Sequence, residues 1–272
     1  MLGGPAYSPD VTTPATPTLA EVEAALRRSH ERLAAAVGHL GPDQLTGPSY
    51  DAEWTVADVL SHLGSGAEIS TLLLDAGVAG GAGPGFAEFN AVWDDWNAKS
   101  PAQQAADSLA ANATFLQRVA DLDENQRRSF SVEMFNGRQD LLGLTRLRLG
   151  EHAVHTWDVL VESDPSAQVA PDATALLLPG LDDLVSRAGQ RSDEPLRVAV
   201  HTLDPAGIFL LEADADGPRL TPGTTDSTLA TLELPAEAFL RLVYGRLDPE
   251  HTPAVEADGV DLDALRTVFP GF

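Results

Sequence analysis

Glu151 and His155 stand four residues apart in the stretch running from Leu144 to Val159, so on a helix their side chains meet on one face. Leu144, Leu147, Val154, Asp158 and Val161 lie along the same stripe, which otherwise has the composition of a core-facing surface. An ionised carboxylate on such a surface needs a basic side chain or a metal ion to offset its desolvation. By itself the spacing also admits a plain hydrogen-bonded pair, or a pairing of Glu151 with Arg148 one turn back. A third polar group on an apolar stripe comes from another segment, where His62 shares a face with Val59, Ile69 and Leu73. Two imidazoles and a carboxylate from two helices, with no fourth protein ligand evident, form the donor set of a catalytic divalent site with one position left open. The chain has no cysteine, which excludes thiolate ligands and disulfides and means that any thiol chemistry takes its sulfur from outside. Nitrogen and oxygen donors favour zinc, with iron, nickel or manganese compatible on ligand type. Asp158 is placed to orient the His155 ring through its second nitrogen, the alternative being a plain acid near a helix end. His152 points about 100° away from the Glu151 stripe and falls outside the set. His30, His39, His201 and His251 have no partner at ligand spacing.

Helices must deliver these groups. Thr18 with Glu21 has the form of a capping box, and Leu19, Val22, Leu26, Leu33 and Val37 then recur at helical spacing, predicting a first helix from Leu19 to Gly38. Thr55 with Asp58 repeats the device ahead of the segment carrying His62. Gly66 falls one turn after His62 on the same stripe, where it costs about 1 kcal/mol relative to Ala, so it is expected to leave room for something. The glycine-rich run from Gly77 to Gly85 reads as a flexible loop, either a lid or a tolerated insertion. Helical pattern resumes from Phe86 to Val119 with a break at Ser100-Pro101, and a fourth helix is expected from Arg138 to Val161. Four such helices suggest a bundle in which inward polar residues meet from different helices.

Beyond a linker at Glu162 to Ser166 and a helix from Ala173 to Ala188, the period changes to that of strands. Strands are expected over residues 196–203, 207–213 and 227–234, with the first two joined as a hairpin through Asp204-Pro205-Ala206-Gly207. A helix opened by Pro235 and closed by Gly245, a short strand at 254–257 and a helix from Asp261 to Phe269 complete the chain. The expected organisation is α+β: a flexible tail over residues 1–18, a helical bundle over 19–165, and a small α/β sandwich domain over 166–272 that includes the linker and helix of 166–190.

With 272 residues, 43% of them hydrophobic, the chain can fill a core unaided. A formal net charge of −24 argues against nucleic acid or an anionic membrane as partner, and makes any anionic substrate dependent on a local Arg or Lys. The Pro/Thr-rich start has neither the basic nor the apolar region of a signal peptide, and no apolar run reaches membrane-spanning length, so a cytoplasmic location is expected.

The segment Trp54-Thr55-Val56 through Asp58-Val59-Leu60-Ser61-His62-Leu63, taken with Glu151, His155, Trp157 and Asp158, resembles the mycothiol-dependent maleylpyruvate isomerase family, within the DinB-like group of metal-binding four-helix bundles. The run from Leu232 to Pro249 is similar to that family's second domain, which is related to sterol carrier proteins. The resemblance implies metal ligands at His62, Glu151 and His155, the positions already singled out by helical spacing. It further implies mycothiol as thiol cosubstrate, a catalytic Arg best matched by Arg246, with Arg241 nearby as the alternative, and either isomerisation of, or sulfur transfer to, a small electrophilic anion. A metal-bound thiol would ionise at neutral pH and act as nucleophile. Two rival readings are a thiol-independent metal hydrolase or lyase and a non-catalytic ligand-binding module. A monomer or a homodimer fits the sequence equally well.

Overall fold

The computed structural model describes residues 16–51, 53–134, 137–224 and 226–271, so most of the expected 1–18 tail lies outside the described residues. The chain divides into two compact units, Pro17–Leu177 and the segment from Leu178 onward. No helix among the described residues is long and apolar enough to cross a membrane.

In the first unit four long helices make the bundle: α1 (Leu19–Val37), α3 (Val56–Ala79), α5 (Pro101–Ala120) and α7 (Leu141–Leu160), with the short α2 (Pro42–Leu45) between the first two. Both expected capping boxes form. Thr18 and Glu21 exchange hydrogen bonds at the start of α1, and Thr55 and Asp58 do so at the start of α3, which fixes where the His62 helix begins. Ser100 caps α5 with Pro101 in the first turn, and Asp140 caps α7 by accepting from the Gly143 amide at 2.7 Å. Helix α3 packs on α5 and α7, and α1 on α7 and α5, enclosing Leu33, Val59, Leu60, Leu63, Ala105 and Val159. Around the bundle lie α4 (Phe86–Asn97), α6 (Glu124–Ser129), α8 (Pro171–Leu177) and a hairpin of β1 (Val132–Met134) and β2 (Gly137–Gln139).

Several features of this unit depart from the sequence expectation. The fourth helix starts at Leu141 rather than Arg138, which pairs with Glu133 in the β1–β2 hairpin. Helix α3 runs on through Gly77 to Ala79, because Gly77 packs tightly against the Phe130 ring where any side chain would collide, and Gly80 supplies the left-handed cap. The helix expected from Ala173 to Ala188 is split by a 3-10 turn at Leu178–Gly180 into α8 and α9 (Leu181–Ala188). Consequently the helical unit extends to Leu177 rather than stopping at residue 165, since α8 packs back on α1 and α7.

The second unit is built on a five-stranded sheet in the order β5-β4-β3-β6-β7, from β3 (Leu196–Leu203), β4 (Gly207–Ala213), β5 (Arg219–Pro222), β6 (Ala230–Pro235) and β7 (Glu256–Asp258). All neighbours run antiparallel except β3 with β6, whose parallel pairing places Leu232 beside Val200. Strand β5 had no strand-like signal in its short Arg-Leu-Thr-Pro stretch; the sheet recruits it by pairing Leu220 with Leu211. Helix α10 (Ala236–Val243), buried along its whole length, and α11 (Leu262–Val268) complete this unit.

Candidate metal centre

His62 is two turns into α3, and Glu151 and His155 are one turn apart on α7, so the packing of these two helices brings the three side chains together. His62 Nε2 lies 3.1 Å from Glu151 Oε2, and His155 Nε2 lies 3.6 Å from the same oxygen. One donor atom from each residue falls within 4.8 Å of the others. A tetrahedral ion with bonds of about 2.0–2.1 Å has donor–donor edges of about 3.3–3.4 Å, close to the two distances that separate the imidazole nitrogens from Glu151 Oε2. The donor set fits a divalent ion with two imidazoles and one carboxylate. Side-chain exposures of 34% for His62 and 42% for Glu151, against 12% for His155, leave one side of the cluster open to solvent. Metal-binding calls for that open side, because a fourth position must admit water or substrate.

Asp158 is fully buried and receives a 2.7 Å hydrogen bond from His155 Nδ1. That contact fixes the ring so that Nε2 points at Glu151. Burial works against charge on His155, yet its hydrogen bond to Asp158 and the nearby Glu151 carboxylate prevail and raise its pKa to about 9. Glu151 is desolvated, but His155 and His62 hold its carboxyl well below the usual range. Burial lowers the pKa of His62 despite its bond to Glu151. Without an ion, the cluster is therefore a carboxylate braced by one protonated imidazole, a proton that a metal must displace.

Trp54 is placed by the turn just ahead of the Thr55 cap, where the Ser49 amide donates to Trp54 O at 3.0 Å. Its ring lies 5.4 Å from His62 and stacks at 6.4 Å over His155, walling one side of the cluster. Sequence spacing marked Trp54 only as part of the motif, because the loop that aims its ring has no periodicity to read. Arg148 does not pair with Glu151 as an ion pair; its Nη2 donates instead to Leu63 O and Asn112 Oδ1, each at 2.6 Å. His152 turns away from the cluster, as expected, to Ser29 Oγ at 2.9 Å. His251 has a partner that the spacing argument overlooked, Asp248 three residues back at 2.8 Å.

Family models match both halves of the chain: the mycothiol maleylpyruvate isomerase N-terminal domain over residues 26–160, and the C-terminal domain of the same family over residues 178–266. The chain belongs to the mycothiol-dependent maleylpyruvate isomerase family. Its fold is also that of a crystal structure of the mycothiol-dependent maleylpyruvate isomerase, with a TM-score of 0.64 at 14% identity over 86% of this chain and 92% of that one. A histidine-to-alanine variant of the isomerase superposes equally well, with a TM-score of 0.64 at 13% identity and the same coverage. No curated protein matches in sequence. In this family member the two candidate arginines of the second unit differ in environment. Arg241 is bound by Glu237 through two hydrogen bonds of 2.7 and 3.0 Å and donates to the Arg246 and His251 carbonyls, which makes it a clamp within α10 and the turn after it. Arg246 is buried and donates to Tyr244 O at 2.7 Å.

Proposed function

We propose that this chain is a metal-dependent isomerase that uses mycothiol as an external thiol, acting on a small electrophilic anion of the maleylpyruvate type. The observation that carries this reading is the convergence of His62, Glu151 and His155, with one donor atom of each within 4.8 Å of the others, in a member of this family. His62 Nε2, His155 Nε2 and a Glu151 oxygen would hold the ion, with zinc the best match to the donors. When bound, such an ion supplies Lewis acidity that ionises a thiol at neutral pH. The chain's own residues do the rest. Asp158 accepts a hydrogen bond from His155 Nδ1–H and keeps Nε2 available as a ligand. Trp54 covers the imidazoles and limits water at their faces. Addition of the thiolate to a conjugated double bond turns that bond single, rotation follows, and departure of the same thiol restores the alkene with its geometry changed. Thiol is regenerated, so atoms balance without an oxidant. Sulfur transfer, in which the adduct is released, uses the same first step. Arg246 is assigned to carboxylate recognition on the family pattern, and Arg241, held by Glu237, is assigned a structural role.

Metal analysis of the purified protein, followed by turnover of maleylpyruvate with and without mycothiol, tests the proposal. One equivalent of divalent metal and turnover strictly dependent on thiol are expected; turnover undiminished without thiol would replace it with the hydrolase or lyase reading.

A further inference from the structure

The two imidazoles of the cluster are held in different ways. Asp158 fixes the His155 ring through Nδ1, whereas the one hydrogen bond of the His62 side chain among the described residues lies within the cluster itself, between Nε2 and Glu151. A ligating imidazole with no partner on its second nitrogen takes its position from the backbone that carries it. At His62 that backbone is held by Arg148. This residue lies on α7 three positions before Glu151 and is 3% exposed. Its Nη2 donates to the carbonyl of Leu63, the residue next to His62 on α3, and to Asn112 Oδ1 on α5, each at 2.6 Å. The Asn112 amide nitrogen donates in turn to Ser108 O at 2.8 Å, which leaves its oxygen for Arg148. One side chain thus ties α7 to both α3 and α5. Gly66, one turn after His62, lets the guanidinium pack close to α3, since a Cβ there would stand 3.0 Å from Nη1.

Stability does not call for a cation at this place. Nε is buried with no hydrogen-bond partner, and no described carboxylate forms an ion pair with Arg148, whereas the equally buried Arg241 has Glu237. Glu151, whose charge acts on Arg148, is engaged with His62 and His155. Burial lowers the Arg148 pKa only to about 10, so the charge persists at neutral pH. An apolar residue of similar length would spare that desolvation. It would not bind two acceptors on two other helices in fixed directions, which a planar guanidinium does.

We propose that Arg148 is a positioning residue for the metal centre: by tying the α3 carbonyl beside His62 to α7 and α5, it holds His62 Nε2 where it can share an ion with Glu151 and His155. The inference rests on the reading of those three residues as metal ligands. The experiment compares wild type, Arg148→Lys and the double variant Arg148→Met with Asn112→Leu, which removes the clamp without leaving Asn112 unpaired. Zinc affinity is read by chelator competition, coordination number by the visible absorption of cobalt-substituted protein, and fold stability by the melting temperature of metal-free protein. The double variant should bind zinc about 10- to 100-fold more weakly and lose cobalt absorption intensity as His62 leaves the four-coordinate set, while its metal-free melting temperature stays level or rises. Arg148→Lys, which keeps the charge and a single bond, should fall between the two in zinc affinity. Zinc affinity and cobalt spectrum unchanged in the double variant, or a melting temperature that falls in step with zinc affinity, would overturn the proposal and leave a purely structural clamp. If the double variant does not fold, Arg148→Lys decides: weaker zinc binding at an unchanged melting temperature supports positioning, and wild-type affinity overturns it. Wild type that binds no zinc would instead refute the metal centre itself, before any variant is compared.

Discussion

Asp158→Asn removes one buried charge 2.7 Å from His155 Nδ1 while keeping an acceptor of the same shape. Its effect on metal binding has two opposing parts. Loss of a carboxylate behind a ligating imidazole costs about 10- to 100-fold in metal affinity. In the wild type, however, His155 holds its proton up to about pH 9, and the metal must displace it. At pH 7 that competition lowers apparent affinity by about 100-fold, and by pH 9 only about twofold remains. Without Asp158 the His155 pKa returns toward the ordinary histidine value of about 6.5, and competition at pH 7 nearly vanishes. The two zinc-affinity curves are therefore expected to cross. The variant should range from about equal to the wild type to about eightfold tighter near pH 7, and bind about 5- to 50-fold more weakly at pH 9. Competition against a chromophoric chelator, buffered at half-unit steps from pH 6.5 to 9, reads both curves directly. Parallel curves, with the variant weaker by a constant factor, would show that Asp158 acts on ring orientation alone and that the proton on His155 is not what the metal displaces.

The same side-chain environments set four further expectations. His62→Ala should abolish stoichiometric metal and thiol-dependent turnover while leaving the circular-dichroism melting temperature within a few degrees, because the side chain is one-third exposed. In the metal-free protein, the raised His155 pKa stabilises the fold fully below about pH 6.5, and this contribution is lost as pH rises through 9; His155→Gln should flatten that part of a urea-stability profile. Gly64→Ala should destabilise by about 2 kcal/mol in urea melts, since the new methyl would overlap the buried Trp96 ring. Arg241→Met should cost about 3–5 kcal/mol by leaving Glu237 buried and unpaired, and adding Glu237→Leu should recover much of it; an additive double variant would contradict this pairing.

Helical spacing by itself determined that Glu151 and His155 share a face, that His62 faces the core of another helix, and that Thr18 and Thr55 start their helices, because side-chain direction and capping depend on residues within one turn. The alternation of residues 196–213 likewise sufficed for the β3–β4 hairpin. Where partners are remote in sequence, local pattern was silent. Nothing in the order of residues says that α3 and α7 meet at the register that sets His62 3.1 Å from Glu151, that Trp54 stacks over His155, or that α8 belongs with the bundle. Gly66 could be read only as a residue making room, and Arg148 only as a neighbour for Glu151. Tertiary packing decided that the room is for Arg148, and that this guanidinium turns from the acid one turn away to acceptors on α3 and α5, because burial rewards hydrogen bonds that no single helix can supply to itself.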